Sequence, residues 1–199
     1  MKNNLQSFID AQISNELIET WAEFLTMPYN PKPIYRSHLL NTAALDYSVG
    51  SLRHLDGYLE LLRQAPLPHD QILRVITRCG AYAGEVIRRA CPPSSCNWIS
   101  YENAARLDAR VGKRPPGPEN FALLSFANGA IAWPFGKVLK RLSLGEAESV
   151  QAFAELMILI HNLPKDQSDK FFGTIDAIAE GAEAVTVMVR RLPPHLPST

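Results

Sequence analysis

Apolar positions recur at helical period over most of this chain, broken by one stretch that reads as β-structure. Residues 2–26 read as helix in two pieces. In the second piece Leu17, Ile18, Trp21, Phe24 and Leu25 share one face, and Ser14 can cap it by accepting from a first-turn N–H. Pro28, Pro31 and Pro33 forbid helix, so 27–44 is expected as an irregular connection. Val49, Leu52, Leu55, Leu59 and Leu62 stripe a helix over 48–64, with Ser48 as its cap and Pro66 and Pro68 beyond its end. The helix over 70–90 has the clearest two-sidedness. Residues such as Val75, Ile76, Cys79, Val86 and Ile87 lie on one side, and Arg74, Arg78, Glu85, Arg88 and Arg89 on the other.

From 91 to 120 the helical period disappears. Only Asn97–Tyr101 carries the aromatic and β-branched residues of a strand, and 102–120 is expected to be a mobile surface loop. In Phe121–Phe135 two apolar runs flank Asn128-Gly129. That pattern predicts a hairpin with a two-residue type I′ turn, its second strand ending at or lying on an edge beside Pro134. A short helix follows from Val138 to about Gly145. Then comes a helix over 146–162 that is apolar almost all round and is therefore expected to be central. A last helix is expected over 168–191, and the tail 193–199 as loose chain. The fold class expected is α+β: one predominantly helical domain over 1–199, with about six helices and a small antiparallel sheet built on the hairpin near 121–135.

Composition narrows the function classes. The 199 residues are 46% hydrophobic and 20% charged, enough to bury a core. Twenty basic residues balance twenty acidic ones, which gives no pull toward nucleic acid or anionic lipid. The start, MKNNLQSFID, lacks a basic segment followed by an apolar run. No apolar stretch is long enough to span a bilayer, and three cysteines make no disulfide framework. A cytoplasmic protein without membrane or nucleic-acid partners is the expectation.

No Gly-x-Ser-x-Gly elbow, Walker loop or Gly-x-Gly-x-x-Gly is present, so no catalytic residue and no cofactor are assigned. Cys91 and Cys96 have no second ligand pair nearby. Two free thiols are expected rather than metal, with a reversible disulfide as the alternative. Interest centres on Gly80-Ala81-Tyr82-Ala83-Gly84-Glu85, because two glycines inside a helix cost about 1 kcal/mol each. Close packing explains them most simply. A ligand or partner seated on Gly80, Tyr82, Gly84 and Glu85 is the functional alternative. Asp56, beside the apolar stripe of its helix, is expected to pair with an arginine at the core edge, and is the further candidate for binding. His161 reads as a core histidine, and His54 points away from Asp56.

Leu45-Asp46-Tyr47-Ser48, Leu55-Asp56-Gly57-Tyr58-Leu59, Gly80-Ala81-Tyr82-Ala83-Gly84-Glu85-Val86, Trp98 and Pro134-Phe135-Gly136-Lys137-Val138 follow one another in order. This order resembles small uncharacterised bacterial proteins with a Gly-x-Tyr-x-Gly-Glu-Val helix, a following tryptophan and a Pro-Phe-x-Lys-Val segment, over roughly residues 45–145. The resemblance implies a bacterial source and a conventional α+β domain, and brings no activity and no site. Two expectations remain. One is a non-enzymatic interaction module whose partner is another protein, such as a toxin inhibitor, immunity partner or adaptor. The other is a small enzyme or ligand-binding domain whose site is assembled from Asp56, Glu85 and His161, with His54.

Overall fold

The helices form where the apolar stripes predict them, and two further short ones appear beside the sheet. The computed structural model describes residues 13–164, except 28, 31, 114–116 and 118, together with 167. Among these the chain forms α1 (Asn15–Thr26), α2 (Leu52–Arg63), α3 (His69–Ala90), β1 (Cys96–Ser100), α4 (Tyr101–Leu107), α5 (Ala109–Gly112), β2 (Ala122–Phe126), β3 (Ile131–Ala132), α6 (Pro134–Leu144) and α7 (Val150–His161). The class is α+β, mostly helical, with one three-stranded antiparallel sheet in the order β1-β2-β3. The helices expected over 2–12 and 168–191 and the tail 193–199 lie outside the described residues.

Local signals set the helix starts. The Ser14 hydroxyl accepts from the Leu17 N–H, and Ser48 caps a 3₁₀ turn (Val49–Ser51) that leads into α2. Pro134 occupies the first turn of α6, where its missing N–H costs nothing. α3 is the spine: α1, α6 and α7 all pack on it, and α2 packs on α6 and α7. The main core gathers around Leu52, Leu55, Val75, Tyr82, Val86 and Phe135, all shut off from solvent.

The sheet is buried on both faces. Successive strand residues alternate sides, so Cys96, Trp98, Leu124 and Phe126 enter the main core while Ile99, Leu123 and Ile131 face the other way. That second face explains the largest correction to the sequence reading. The segment 102–120, expected as a mobile loop, is folded to residue 112 as α4 and α5. These helices lay Ala104 and Val111 against Leu123 and Ile131, which would otherwise be exposed.

Two smaller corrections follow. The hairpin register pairs Leu124 with Ala132 and Ser125 with Ile131, and Phe126 N–H donates to Ala130 C=O. The loop is therefore the three residues 127–129, with the Gly129 N–H closing a turn on Phe126 C=O. Gly129 alone there has positive φ, at 87°. This is the type I turn plus glycine bulge pattern rather than the two-residue I′ turn, which would require positive φ at Asn128 as well. The Asn128 amide instead donates to the carbonyls of Ile160 and Leu163, tying the hairpin to the end of α7. α7 itself is not central. It buries one face, Val150, Ala154, Met157 and Ile160, because α2, α3 and α6 lie on one side of it, and Leu159 is exposed.

Candidate functional site

Gly80 and Gly84 are gaps cut for other side chains. A Cβ on Gly80 would come within 2.6–2.9 Å of the Phe135 ring and backbone, and one on Gly84 would overlap the Trp98 ring. α6 and β1 thereby approach α3 more closely than any larger residue allows. Glu85, the next residue, is completely buried. It accepts from Trp98 Nε1 at 2.8 Å and from Arg88 Nε and Nη2 at 2.8 and 2.7 Å, and lies 3.4 Å from Arg89 Nε. Arg89 also donates to Glu19 on α1 at 2.7 Å. A buried carboxylate costs several kcal/mol unless it is paired and hydrogen-bonded, and this one is both. The Glu85 carboxylate in turn holds the Arg88 guanidinium above its ordinary value. Gly80, Gly84, Glu85, Trp98, Pro134 and Phe135 thus converge in one closed seam.

Tyr82 is buried on the same helix. Its hydroxyl accepts from the Tyr47 N–H at 3.0 Å and shares a hydrogen bond with Ser51 Oγ at 2.7 Å, and the two tyrosine rings pack at a tilt with centroids 4.9 Å apart. Tyr47 has φ 61°, a left-handed conformation that costs a non-glycine residue roughly 1–3 kcal/mol. Tyr82 is what secures it. Burial raises the Tyr82 phenol above its ordinary value, so it stays neutral.

Asp56 meets its arginine, as its position predicts: Arg141 Nε lies 3.3 Å from its carboxylate, and Arg141 is almost fully buried. The carboxylate also accepts from Ser149 Oγ at 2.7 Å, Val150 N–H at 2.8 Å and Gln151 N–H at 3.1 Å. Asp56 therefore caps the N-terminus of α7 from another helix, a position where negative charge is favoured. His161 stands at the opposite end of α7, about 16 Å along the axis. It is half-buried, stacks on Phe126 and places Nε2 3.3 Å from Ser95 Oγ. His54 touches Arg53. Asp56, Glu85 and His161 do not meet.

Cys79, Cys91 and Cys96 are free thiols, all buried. Hydrogen bonding between the Cys91 and Cys96 thiols lowers Cys91 below its ordinary value and, with burial, pushes Cys96 above it. Among the described residues no three His, Cys, Asp or Glu side chains gather as a metal ion needs, and no helix is long and apolar enough to cross a membrane.

The open surface lies elsewhere, where no sequence motif marked it. Two solvent-open clefts flank Phe24. One, about 390 Å³, runs between α1 and α3 beside Trp21, Leu73, Arg74 and Arg78. The other, about 350 Å³, lies between α1 and the irregular 29–42 segment, beside Met27, Tyr29 and Ile34. Neither is lined by Asp56, Glu85 or His161. Tyr29, Leu73 and Met27 are 86%, 48% and 40% exposed. The sequence held one signal for this surface: Leu73 falls off the apolar stripe of α3, on its flank. Compared with family models, curated proteins and solved structures, the chain matches none.

Proposed function

We propose that this chain is a non-enzymatic protein-binding module acting in the cytosol, of the kind that serves as an inhibitor, an immunity partner or an adaptor. One observation carries the reading. Asp56 and Glu85 are engaged in holding the fold, while the solvent-open clefts carry the composition of a protein interface. Asp56 caps a helix, Glu85 neutralises two arginines and His161 stands apart from both. By contrast Trp21, Phe24, Met27, Tyr29, Arg74 and Arg78 collect the aromatic, methionine and arginine residues that concentrate at interface cores. Scattered exposed apolar residues mean little, but a contiguous group beside open clefts marks a contact surface.

Affinity capture from a lysate of the source cells, with the full chain as bait, tests this. A specific partner should be competed off by free chain and lost with Leu73→Arg bait. Recovery that is indifferent to Leu73→Arg and to Tyr29→Ser would remove the assignment to this face. Turnover of a small molecule by the purified chain would remove the non-enzymatic reading.

A further inference from the structure

We propose that the cleft between α1 and α3 receives an acidic protein segment bearing an apolar anchor, with Arg74 and Arg78 supplying the charge and Trp21 and Leu73 the apolar seat. This rests on the protein-binding reading above and specifies its partner.

The argument is one of unmatched charge. Arg63, Arg88, Arg110 and Arg141 each meet a carboxylate. Among the described residues, no ion pair reaches Arg74 or Arg78. Arg74 has Gln71 Oε1 at 3.4 Å, and Arg78 lies over the Phe24 ring at 4.8 Å. Arg78 Nη1 is buried with no hydrogen-bond partner there. The two cations sit one helical turn apart, an arrangement that is unfavourable by itself. Burial, and then Arg74, lower the Arg78 guanidinium below its ordinary value.

The cleft's own carboxylate does not resolve this. Asp70 is one turn before Arg74 but accepts from the Gln71 amide at 2.6 Å. An incoming carboxylate would answer both arginines with charge-assisted hydrogen bonds, strengthened by the apolar walls around them. Leu73, exposed in the same cleft as Trp21, fits an apolar side chain flanked by acids. A nucleic acid is the poorer occupant. Two arginines with Asp70 among them cannot track a row of phosphates, and the chain has no net charge.

The test is selection of a short random-peptide library displayed on phage, using the full chain, with affinities then read by fluorescence anisotropy. Enriched peptides should place Asp or Glu beside Leu, Phe or Trp. Their binding should fall at least about tenfold with Arg74→Glu, and less with Arg78→Lys than with Arg78→Ala. It should also weaken with added salt. Arg74→Glu is the decisive variant because, among the described residues, the Arg74 guanidinium meets only the neighbouring Gln71 side chain. Enriched peptides without acids, bound at this face and lost with Leu73→Arg, would overturn the acidic partner while leaving the binding module standing. Acidic peptides indifferent to Arg74→Glu would overturn the placement. No enrichment, or tighter binding of a single-stranded oligonucleotide that depends on Arg74, would overturn both.

Discussion

Two regions of α3 carry arginines beside aromatic rings, and they are opposite in state. At its C-terminal half, Arg88 and Arg89 close on Glu85 and Glu19, Trp98 donates into the same carboxylate, and the glycines admit rings until no space remains. At its N-terminal half, Arg74 and Arg78 stand beside Trp21 and Phe24 with no ion pair among the described residues, and Leu73 lies open in the same cleft. The same chemistry is met by carboxylates within the chain at one end and has no ion pair among the described residues at the other. A run of aromatic contacts joins the two. Trp98 packs on Phe135 at 5.5 Å, Phe135 on Phe121 at 4.6 Å, and Phe121 on Trp21 at 5.4 Å. The lesson is that residues conspicuous in a sequence can be conspicuous because the framework demands them.

This contrast predicts a ranking of substitutions. Gly84→Leu should do most damage. It drives a side chain into Trp98 and should cost more than about 3 kcal/mol, lowering the melting temperature by about 6–12 °C or abolishing folding. An unchanged melt would mean that the seam can open, and would return it to consideration as a site. Asp56→Ala removes the acceptor of the Val150 and Gln151 N–H groups and leaves the nearly buried Arg141 only Glu60, at 3.5 Å, as a carboxylate partner. Denaturant titration should show a loss of about 3 kcal/mol. Glu85→Gln keeps the shape and an acceptor for the Trp98 indole but leaves Arg88 and Arg89 only Glu19 as a carboxylate partner among the described residues, a cost of about 1–2 kcal/mol by the same titration. A larger loss than that of Gly84→Leu would make charge rather than packing the basis of the seam. Arg74→Glu and Leu73→Arg should stay within about 0.5 kcal/mol of the parent, since neither residue supports the core. A strong loss in either would make the cleft part of the framework and break the comparison.

How far the sequence could take this reading differs by feature. The stripes of α1, α2 and α3 were legible because 3.6-residue spacing is local information, and so were the Ser14 and Ser48 caps. α4 and α5 were hidden because they are short and polar outside. Their signals are Ser100 accepting from Asn103 N–H and Asp108 accepting from Arg110 N–H, easily lost in a Pro- and Gly-rich stretch. What fixes them is the second face of the sheet, a tertiary fact. The packing role of Gly80 and Gly84 could be anticipated from helix propensity, but not that Phe135 and Trp98 would fill the space. Asp56 was rightly expected to find an arginine. That it also caps α7, more than ninety residues away, no local pattern encodes. The Phe24 surface was missed because an ordinary amphipathic stripe does not say how much of itself the neighbouring helix will cover.

Three indole N–H groups make the comparison measurable in one experiment, because Trp21 lines the cleft and Trp98 lies in the seam, while Trp133 follows β3. The full chain, labelled with ¹⁵N, is titrated with a selected acidic peptide while the indole ¹H–¹⁵N signals are followed. The account predicts that the Trp21 signal moves with peptide concentration while the Trp98 signal, held on buried Glu85, stays in place. A moving Trp98 signal with Trp21 unmoved would contradict it and make the glycine seam the binding site.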